Sequence, residues 1–183
     1  MTKFFAAWAL MAMSCIVAPQ TVLAYDIPIQ ASFAVAFSGA PNTDNVAYCG
    51  GAPGPVAIEA HGDGFSTLGA LAFSLQKTQA GALFHGCLTL IAPNGDTLTA
   101  TYDAAGSAPP NTNHFSPATG TLTFTGGTGR FHGASGNATF TAVFDSFYPA
   151  SSFAGGTGTA PLQGIAFYVV QGRVSINGGG DDR

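Results

Sequence analysis

The sequence contains few charged side chains. Only 8% of its 183 residues are Asp, Glu, Lys or Arg, against about 25% in an ordinary soluble domain. A basic stripe or cluster is lacking, so we expect no nucleic-acid partner. A polybasic or amphipathic helix is lacking too, which predicts no contact with a membrane surface after removal of the leader described below. The polar surface is predicted to consist mainly of Thr, Ser, Asn and Gly.

Residues 1–24 have a composition of their own. A single lysine, Lys3, precedes a long apolar run that ends in Val22-Leu23-Ala24. This pattern predicts a secretory signal peptide cleaved after Ala24, and therefore a secreted or periplasmic protein. The alternative is a lipid anchor on Cys15. Cleavage would leave nine acidic and four basic side chains, a formal net charge of −5.

Two cysteines, Cys49 and Cys87, follow the leader. In an exported protein an even pair predicts a disulfide. This bond would stabilise the fold by roughly 3–4 kcal/mol on the chain-entropy model. The alternatives are a reactive thiol or a metal pair, but the nearest histidine, His85, does not have the spacing of a zinc motif.

Most of the remaining chain alternates apolar and polar residues with period two, which is typical of β-strands. Outside the leader we find no helical period. Eight such runs are separated by turn residues, and Ala104 to Pro117 is predicted to be a long loop. The apolar positions are Ile29, Ala31, Phe33, Val35, Phe37; Val56, Ile58, Ala60; Leu71, Phe73, Leu75; Phe84, Leu88, Leu90; Leu98, Ala100, Tyr102; Leu122, Phe124; Ala138, Phe140, Ala142, Phe144; and Phe167, Val169, Val174.

Eight short antiparallel strands in one domain predict an all-β fold, either a closed barrel or a two-sheet sandwich. We favour the closed barrel, because closure removes strand edges that so few charges would protect. Such a barrel encloses room for side chains or one small ligand. The predicted domain covers residues 25–177, and residues 178–183 are predicted to be a disordered tail.

Five glycines lie in the stretch TFTGGTGRFHGASGNATF, from Thr123 to Phe140. A phosphate-binding loop would need a helix after the glycines. The chain continues into a strand pattern instead, so we interpret the glycines as turn and bend residues. Arg130 is expected to face outward and to pair with Asp145 or Asp103.

The segment Gly126-Gly127-Thr128-Gly129-Arg130-Phe131, with Ala134, Gly136 and Ala138, resembles a motif of plant dirigent proteins. With Thr125 and Gly133 it is equally similar to a motif of allene oxide cyclases, and the strand Gly95 to Tyr102 resembles theirs as well. The resemblance covers under a third of the chain. It implies an eight-stranded antiparallel barrel with an apolar cavity, often assembled as a trimer, and suggests an exported bacterial-type member of this superfamily.

No catalytic residue of these families can be transferred to this chain. The cyclases place a glutamate on the first barrel strand, whereas the run from Ile29 to Phe37 contains no acidic residue. The positions of the acidic residues in dirigent cavities cannot be aligned here. The resemblance therefore predicts the fold and leaves the activity open.

Ligand-binding residues are predicted from position along the strands. Tyr102, Asp103 and Asp145 lie near strand ends, where small barrels display polar groups at the cavity mouth. Phe140 and Phe144 are predicted to line the interior beside the ligand. The remaining phenylalanines predicted to face inward are Phe33, Phe73, Phe124 and Phe167.

Glu59, His61 and Asp63 alternate and would share one strand face, a pattern that would also suit a metal or acid–base chemistry. We interpret it as a hydrated face and expect neither a metal nor a cofactor. Three functions remain open for the barrel. In the first, it binds a small apolar ligand. In the second, it is a cofactor-free cyclase, isomerase or dirigent-like stereochemical guide, which requires an acidic or tyrosyl group inside the barrel. In the third, it is a structural or adhesive surface module.

Overall fold

The structure is a computed structural model that describes residues 24–106, 115–146 and 162–177. These residues form eight strands and one short 3₁₀ helix, Gly129–Phe131. The strands are β1 (Ala24–Pro41), β2 (Val56–Ser66), β3 (Gly69–Ala80), β4 (Leu83–Ile91), β5 (Thr97–Gly106), β6 (Phe115–Gly127), β7 (Ser135–Ser146) and β8 (Leu162–Asn177).

The strands form a closed antiparallel barrel in which each strand pairs with its neighbours in sequence. The barrel closes where β1 pairs with β8, from Ala24 opposite Asn177 to Gly39 opposite Leu162. The all-β closed barrel predicted from the sequence is thus confirmed. Closure leaves none of these strands with an open edge, which protects a surface poor in charge from edge-to-edge association.

Alternation along each strand separates the core from the outer surface. In β1 every second residue from Ile29 to Phe37 is buried, as predicted. In β8 the prediction was right for Val174 but wrong for Phe167 and Val169, which are 54% and 50% exposed, and Tyr168 and Val170 face inward instead. Both faces of β8 have apolar residues, so alternation alone did not determine which face was buried.

One end of the barrel, here called the leucine end, is formed by residues 67–68, the turn 92–96 and the 3₁₀ helix. Interior leucines and phenylalanines from neighbouring strands fill it. Leu90 lies opposite Leu98 in the β4–β5 register and opposite Phe73 in the β3–β4 register. Phe131 is 1% exposed and closes this end. Arg130 faces outward as expected, but its partner is Asp96, with Nε 3.9 Å from the carboxylate, and neither Asp145 nor Asp103.

The glycine stretch is a turn and bend, as the sequence predicted. Gly126 and Gly136 lie in strands and Gly129 in the 3₁₀ helix, and all three have positive φ angles. Gly129 additionally lies against the carboxylate of Asp96, where a Cβ would collide. Chain reversal next to a buried phenylalanine therefore explains these glycines.

The opposite end, here called the lysine end, includes residues 42–55 and 81–82. The disulfide between Cys49 and Cys87 is confirmed, with a Cα–Cα distance of 5.4 Å. It attaches the 42–55 connection to β4. The prediction of a long loop from Ala104 to Pro117 was wrong at both ends, because β5 continues to Gly106 and β6 begins at Phe115; its middle part, residues 107–114, lies outside the described residues.

Most of the predicted signal peptide and the predicted tail, residues 178–183, lie outside the described residues. Ala24, the predicted cleavage position, is the first residue of β1. Within the described part of the chain, no helix is long and apolar enough to span a membrane. Export and the alternative lipid anchor on Cys15 stay predictions.

Candidate functional site

Lys77 lies inside the barrel. It continues the inward-facing series Leu71, Phe73 and Leu75 of β3, and it is 1% exposed. The chain contains one other lysine, Lys3, in the predicted leader. The protein therefore has no lysine on the described outer surface and one in the interior, where lysine is rarely found without a partner.

Three aromatic rings surround the Lys77 amine. Its Nζ lies 4.5 Å from the ring centre of Phe84, 4.6 Å from that of Phe144 and 5.1 Å from that of Tyr102. Phe84 and Phe144 stack on one another with 6.2 Å between their centres. A cation over a ring face is stabilised by about 0.5–2 kcal/mol, with the larger values at desolvated sites. We call Lys77 and these three rings the lysine cage.

No carboxylate forms an ion pair with Lys77 among the residues of the three described segments. Glu59, Asp63 and Asp103 are all exposed on the outer face of the barrel. Burial lowers the pKa of the Lys77 ammonium from 10.5 to about 7. The ring faces favour the ammonium and oppose this lowering, but the net effect is an interior amine that loses its proton more easily than a surface lysine does.

Two tyrosine hydroxyls lie next to the lysine cage. The Oη atoms of Tyr102 and Tyr168 are both buried. They lie close enough to influence each other's pKa, but neither forms a hydrogen bond of ordinary geometry in the described part of the chain. Burial and the neighbouring Tyr168 raise the pKa of Tyr102 well above its usual value. Burial likewise raises the pKa of Tyr168. Both phenols therefore remain protonated at neutral pH and present hydrogen-bond donors to the interior.

An unpartnered buried hydroxyl is unfavourable by about 1–3 kcal/mol. The lysine end has a third such group, the Oγ of Ser146 on β7. The polar atoms at this end thus include the Lys77 amine and three hydroxyls, and an oxygen acceptor placed among them would satisfy hydroxyls that the described protein atoms do not.

Small residues make room for the rings along the interior. The Phe140 ring crosses over Gly120, where a Cβ would lie 2.5 Å from Cζ of the ring. Phe37 crosses over Gly164 in the same way, at 2.6 Å. Phe140 also stacks on Tyr102, with ring centres 4.8 Å apart. Phe140 contacts Tyr102, and Phe37 contacts Phe144, so these two rings hold two members of the lysine cage in place.

The five ligand-binding residues predicted from the sequence fall into two groups. Tyr102, Phe140 and Phe144 are buried together in the interior, beside Lys77. Asp103 is exposed on the outer face, and Asp145 is half-buried on that face. Their assignment as ligand-binding residues stays a prediction, and the structure places only the first group next to the amine.

Asp103 forms a pair with His85 on the outer wall of the lysine end. His85 Nδ1 lies 2.6 Å from a carboxylate oxygen of Asp103, and its Nε2 lies 3.4 Å from the carbonyl oxygen of Cys49. The hydrogen bond to Asp103 raises the pKa of His85, although partial burial opposes this. Both residues border a surface depression of about 490 Å³ with Phe84. The pair thus links β4, β5 and the disulfide-bonded connection.

Glu59, His61 and Asp63 share the outer face of β2, as the alternation predicted, and all three are exposed. The described residues include no group of three or more His, Cys, Asp or Glu side chains arranged to hold a metal ion. The amide of Gln76 donates a hydrogen bond to Glu59. This face has the exposure of an ordinary hydrated surface.

A larger depression of about 800 Å³ lies on the outer wall across β8, β1, β2 and β3. Phe65 and Phe167, 77% and 54% exposed, border it together with Val169. In the registers Phe65 lies opposite Ser32, which lies opposite Val169. We call these three apolar residues the outer apolar patch.

Two interior polar residues, Lys77 and Tyr168, were missed by the sequence analysis. The period of β3 does place residue 77 on the same face as Leu71, Phe73 and Leu75, so the signal was present. The predicted apolar series of this strand ended at Leu75, because lysine is rarely found in a core. Tyr168 was missed because the neighbouring Phe167 was assigned to the interior.

No protein-family model matches the sequence, and the search of curated proteins found no match either. Among solved structures, the chain is similar to that of a pterocarpan synthase dirigent protein, with 13% sequence identity and a TM-score of 0.46. The similarity covers 86% of this chain and 89% of that chain and concerns the fold alone. The barrel itself is established by the strand pairing of this chain, which is an all-β, closed eight-stranded antiparallel barrel.

Proposed function

We propose that the protein binds a small, largely apolar molecule at the lysine end of the barrel and accepts one oxygen of that molecule among Lys77, Tyr102 and Tyr168. The observation that supports this proposal is the buried Lys77 amine, which has aromatic neighbours and no carboxylate partner in the described segments. A buried cation without a counter-charge is unfavourable. A ligand carboxylate or carbonyl oxygen would offset this penalty, and the rings would contact its apolar part.

The chemistry of the interior defines the class of ligand. Every ionisable side chain that the described strands bury is a hydrogen-bond donor at neutral pH: one amine and two phenols. An oxygen acceptor therefore complements the site, and a cationic ligand does not. Aromatic rings on several sides favour a flat or aromatic body.

Two matched methionine variants test the location of the site. Benzoate is used as the probe because it combines a ring with a carboxylate, and its binding is followed by ligand-observed NMR. We expect Lys77→Met to weaken binding at least about tenfold, which is about 1.4 kcal/mol. Leu98→Met changes a buried residue at the leucine end with nearly constant volume and should leave binding unchanged. Equal loss in both variants, or no binding to the wild type, would contradict the proposal.

Native mass spectrometry of protein purified from its own host tests the proposal without a chosen probe. A small molecule that is lost on denaturation supports it and reports its mass. The same spectrum tests two further parts of our proposal. Export with cleavage after Ala24 predicts a chain that begins at Tyr25, whereas a lipid anchor would add mass at Cys15. Self-association, supported by the outer apolar patch, predicts an oligomer peak.

A second candidate function is a cofactor-free isomerase, cyclase or dirigent-like guide on the same site. The buried Tyr102 and Tyr168 phenols favour it, because such chemistry requires a proton donor next to the bound molecule. For any substrate found by the experiment above, Tyr102→Phe should lower kcat more than it raises KM. Loss confined to KM would limit Tyr102 to binding.

A further inference from the structure

We propose that the Lys77 amine condenses reversibly with small, largely apolar aldehydes or ketones and so holds them as an imine inside the barrel. This inference rests on the proposed function and names the reactive class within it, the carbonyl compounds. Lys77 is the only amine side chain of the chain beyond residue 3. It lies among the ring faces of Phe84, Tyr102 and Phe144.

The reaction needs no co-reactant. The amine nitrogen adds to the carbonyl carbon, and the carbonyl oxygen receives a proton to give a carbinolamine. The hydroxyl of that intermediate then leaves as water, which takes its oxygen from the carbonyl and its two hydrogens from the amine. One C=N bond replaces one C=O bond, and nothing is oxidised or reduced.

The surroundings of Lys77 favour each step of this reaction. Attack requires the neutral amine, and burial, which lowers the pKa of Lys77 to about 7, increases its share. At pH 7, by contrast, an ordinary lysine is neutral in only about one molecule in 2,500. The aromatic rings stabilise the ammonium and so partly oppose the lowering of the Lys77 pKa. The same rings shield the imine from water.

The phenols provide the proton that the leaving hydroxyl requires. Tyr102 lies within the lysine cage, and its ring centre lies 6.5 Å from that of Tyr168. Both hydroxyls remain protonated, and neither forms a hydrogen bond of ordinary geometry among the residues described, although each influences the pKa of the other. A phenol donates a proton to the carbinolamine hydroxyl as it leaves, and the N–H of the resulting iminium returns a proton to the phenolate, so that in net terms both hydrogens of the water come from the amine. Lys77 is a catalytic residue in this proposal, and Tyr102 is its proton donor.

The test traps the imine by reduction. Purified protein is incubated at pH 7 with benzaldehyde and sodium cyanoborohydride, and peptide mapping by mass spectrometry separates Lys77 from Lys3 and the N-terminal amine. We expect one benzyl adduct on Lys77. The matched control combines Lys77→Met with Gln171→Lys, which moves the lysine to an exposed position on the outer face of β8. Lys77 should react at least about tenfold faster than this exterior lysine.

Benzoate, the non-reactive analogue of benzaldehyde, distinguishes the two proposals. If benzoate binds and slows formation of the Lys77 adduct, both are supported. If benzoate binds in a Lys77-dependent manner but Lys77 gives no adduct, or reacts no faster than the exterior lysine, the imine proposal is overturned and the binding site remains. If neither benzoate nor benzaldehyde engages Lys77, both fail. Tyr102→Phe should slow adduct formation several-fold without abolishing benzoate binding, and an unchanged rate would remove Tyr102 from the reaction.

Discussion

The leucine end of the barrel is filled with leucines and phenylalanines and closed by Phe131, whereas the lysine end buries an amine, two phenols and a serine hydroxyl among aromatic rings. Apolar groups leave no polar atom to satisfy, so packing alone stabilises the leucine end. At the lysine end a disulfide and a His–Asp pair attach the neighbouring connection. The comparison teaches that apolar packing stabilises one end of the barrel, whereas the other end combines covalent and polar links with a buried amine.

The largest effect is expected from a cavity at the leucine end. Leu98 is 1% exposed and lies opposite Leu90. Leu98→Ala should lower the free energy of unfolding by about 2–5 kcal/mol, because it removes buried methyl groups and leaves a void. Urea denaturation measures the change. A loss below about 1 kcal/mol would show that the leucine end is not the stabilising part of the barrel.

The disulfide is expected to contribute almost as much. Its two cysteines are 38 residues apart in sequence, and a cross-link of this span restricts the unfolded chain by about 3–4 kcal/mol. The double variant Cys49→Ser, Cys87→Ser should therefore unfold at a lower urea concentration. Wild type measured with and without a reductant is the control, and equal midpoints there would contradict the expected contribution.

Lys77→Met should make the protein more stable. It replaces a buried amine with an apolar side chain of similar length, for a gain of about 1–3 kcal/mol at pH 7. The sign follows from proton binding: between about pH 7 and 10.5 the unfolded wild type holds one proton more than the folded form. Wild-type stability therefore rises with pH, by at most about 1.4 kcal/mol per unit. The advantage of the variant should shrink by pH 10, and a constant difference would show that Lys77 has an ordinary pKa.

The smallest effect is expected at the outer His85–Asp103 pair. The raised pKa of His85 means that its stabilisation is complete below about pH 6.5 and is lost as the pH rises through the folded-state value. Because the side chains are 28% and 56% exposed, Asp103→Asn should lower stability at pH 5.5 by less than about 1 kcal/mol. Urea denaturation at pH 9 is the control. A difference that persists unchanged at pH 9 would indicate a structural effect unrelated to the charge on His85.

The sequence predicted the fold well because alternation is local. All eight apolar runs correspond to strands, and the few charges correctly favoured closure over a sandwich. The interior of β8 was predicted wrongly because Phe167 and Tyr168 are both aromatic, and only the partner strands determine which faces inward. Loop bounds were also wrong, since strand pairing extends β5 to Gly106 through residues that look irregular in the sequence.

The candidate site was predicted only in part, for a physical reason. Tyr102, Phe140 and Phe144 were identified because aromatic residues at inward positions are the expected lining of a small barrel. Lys77 occupies an equally regular inward position, but a charged residue is expected to leave the core. Lys77 is an exception to the expectation that charged residues leave the core. This exception marks the candidate site more clearly than the inward-facing aromatic residues do.

The closure of the barrel also determines when folding ends. The side chain of Arg173 donates a hydrogen bond of 2.6 Å to that of Asp26, across 147 residues of sequence. Because β8 pairs with both β1 and β7, a chain still being made without β8 has two unpaired edges and cannot close. Contacts between distant parts of a chain form slowly. This delay keeps the barrel from closing until its last strand has been made.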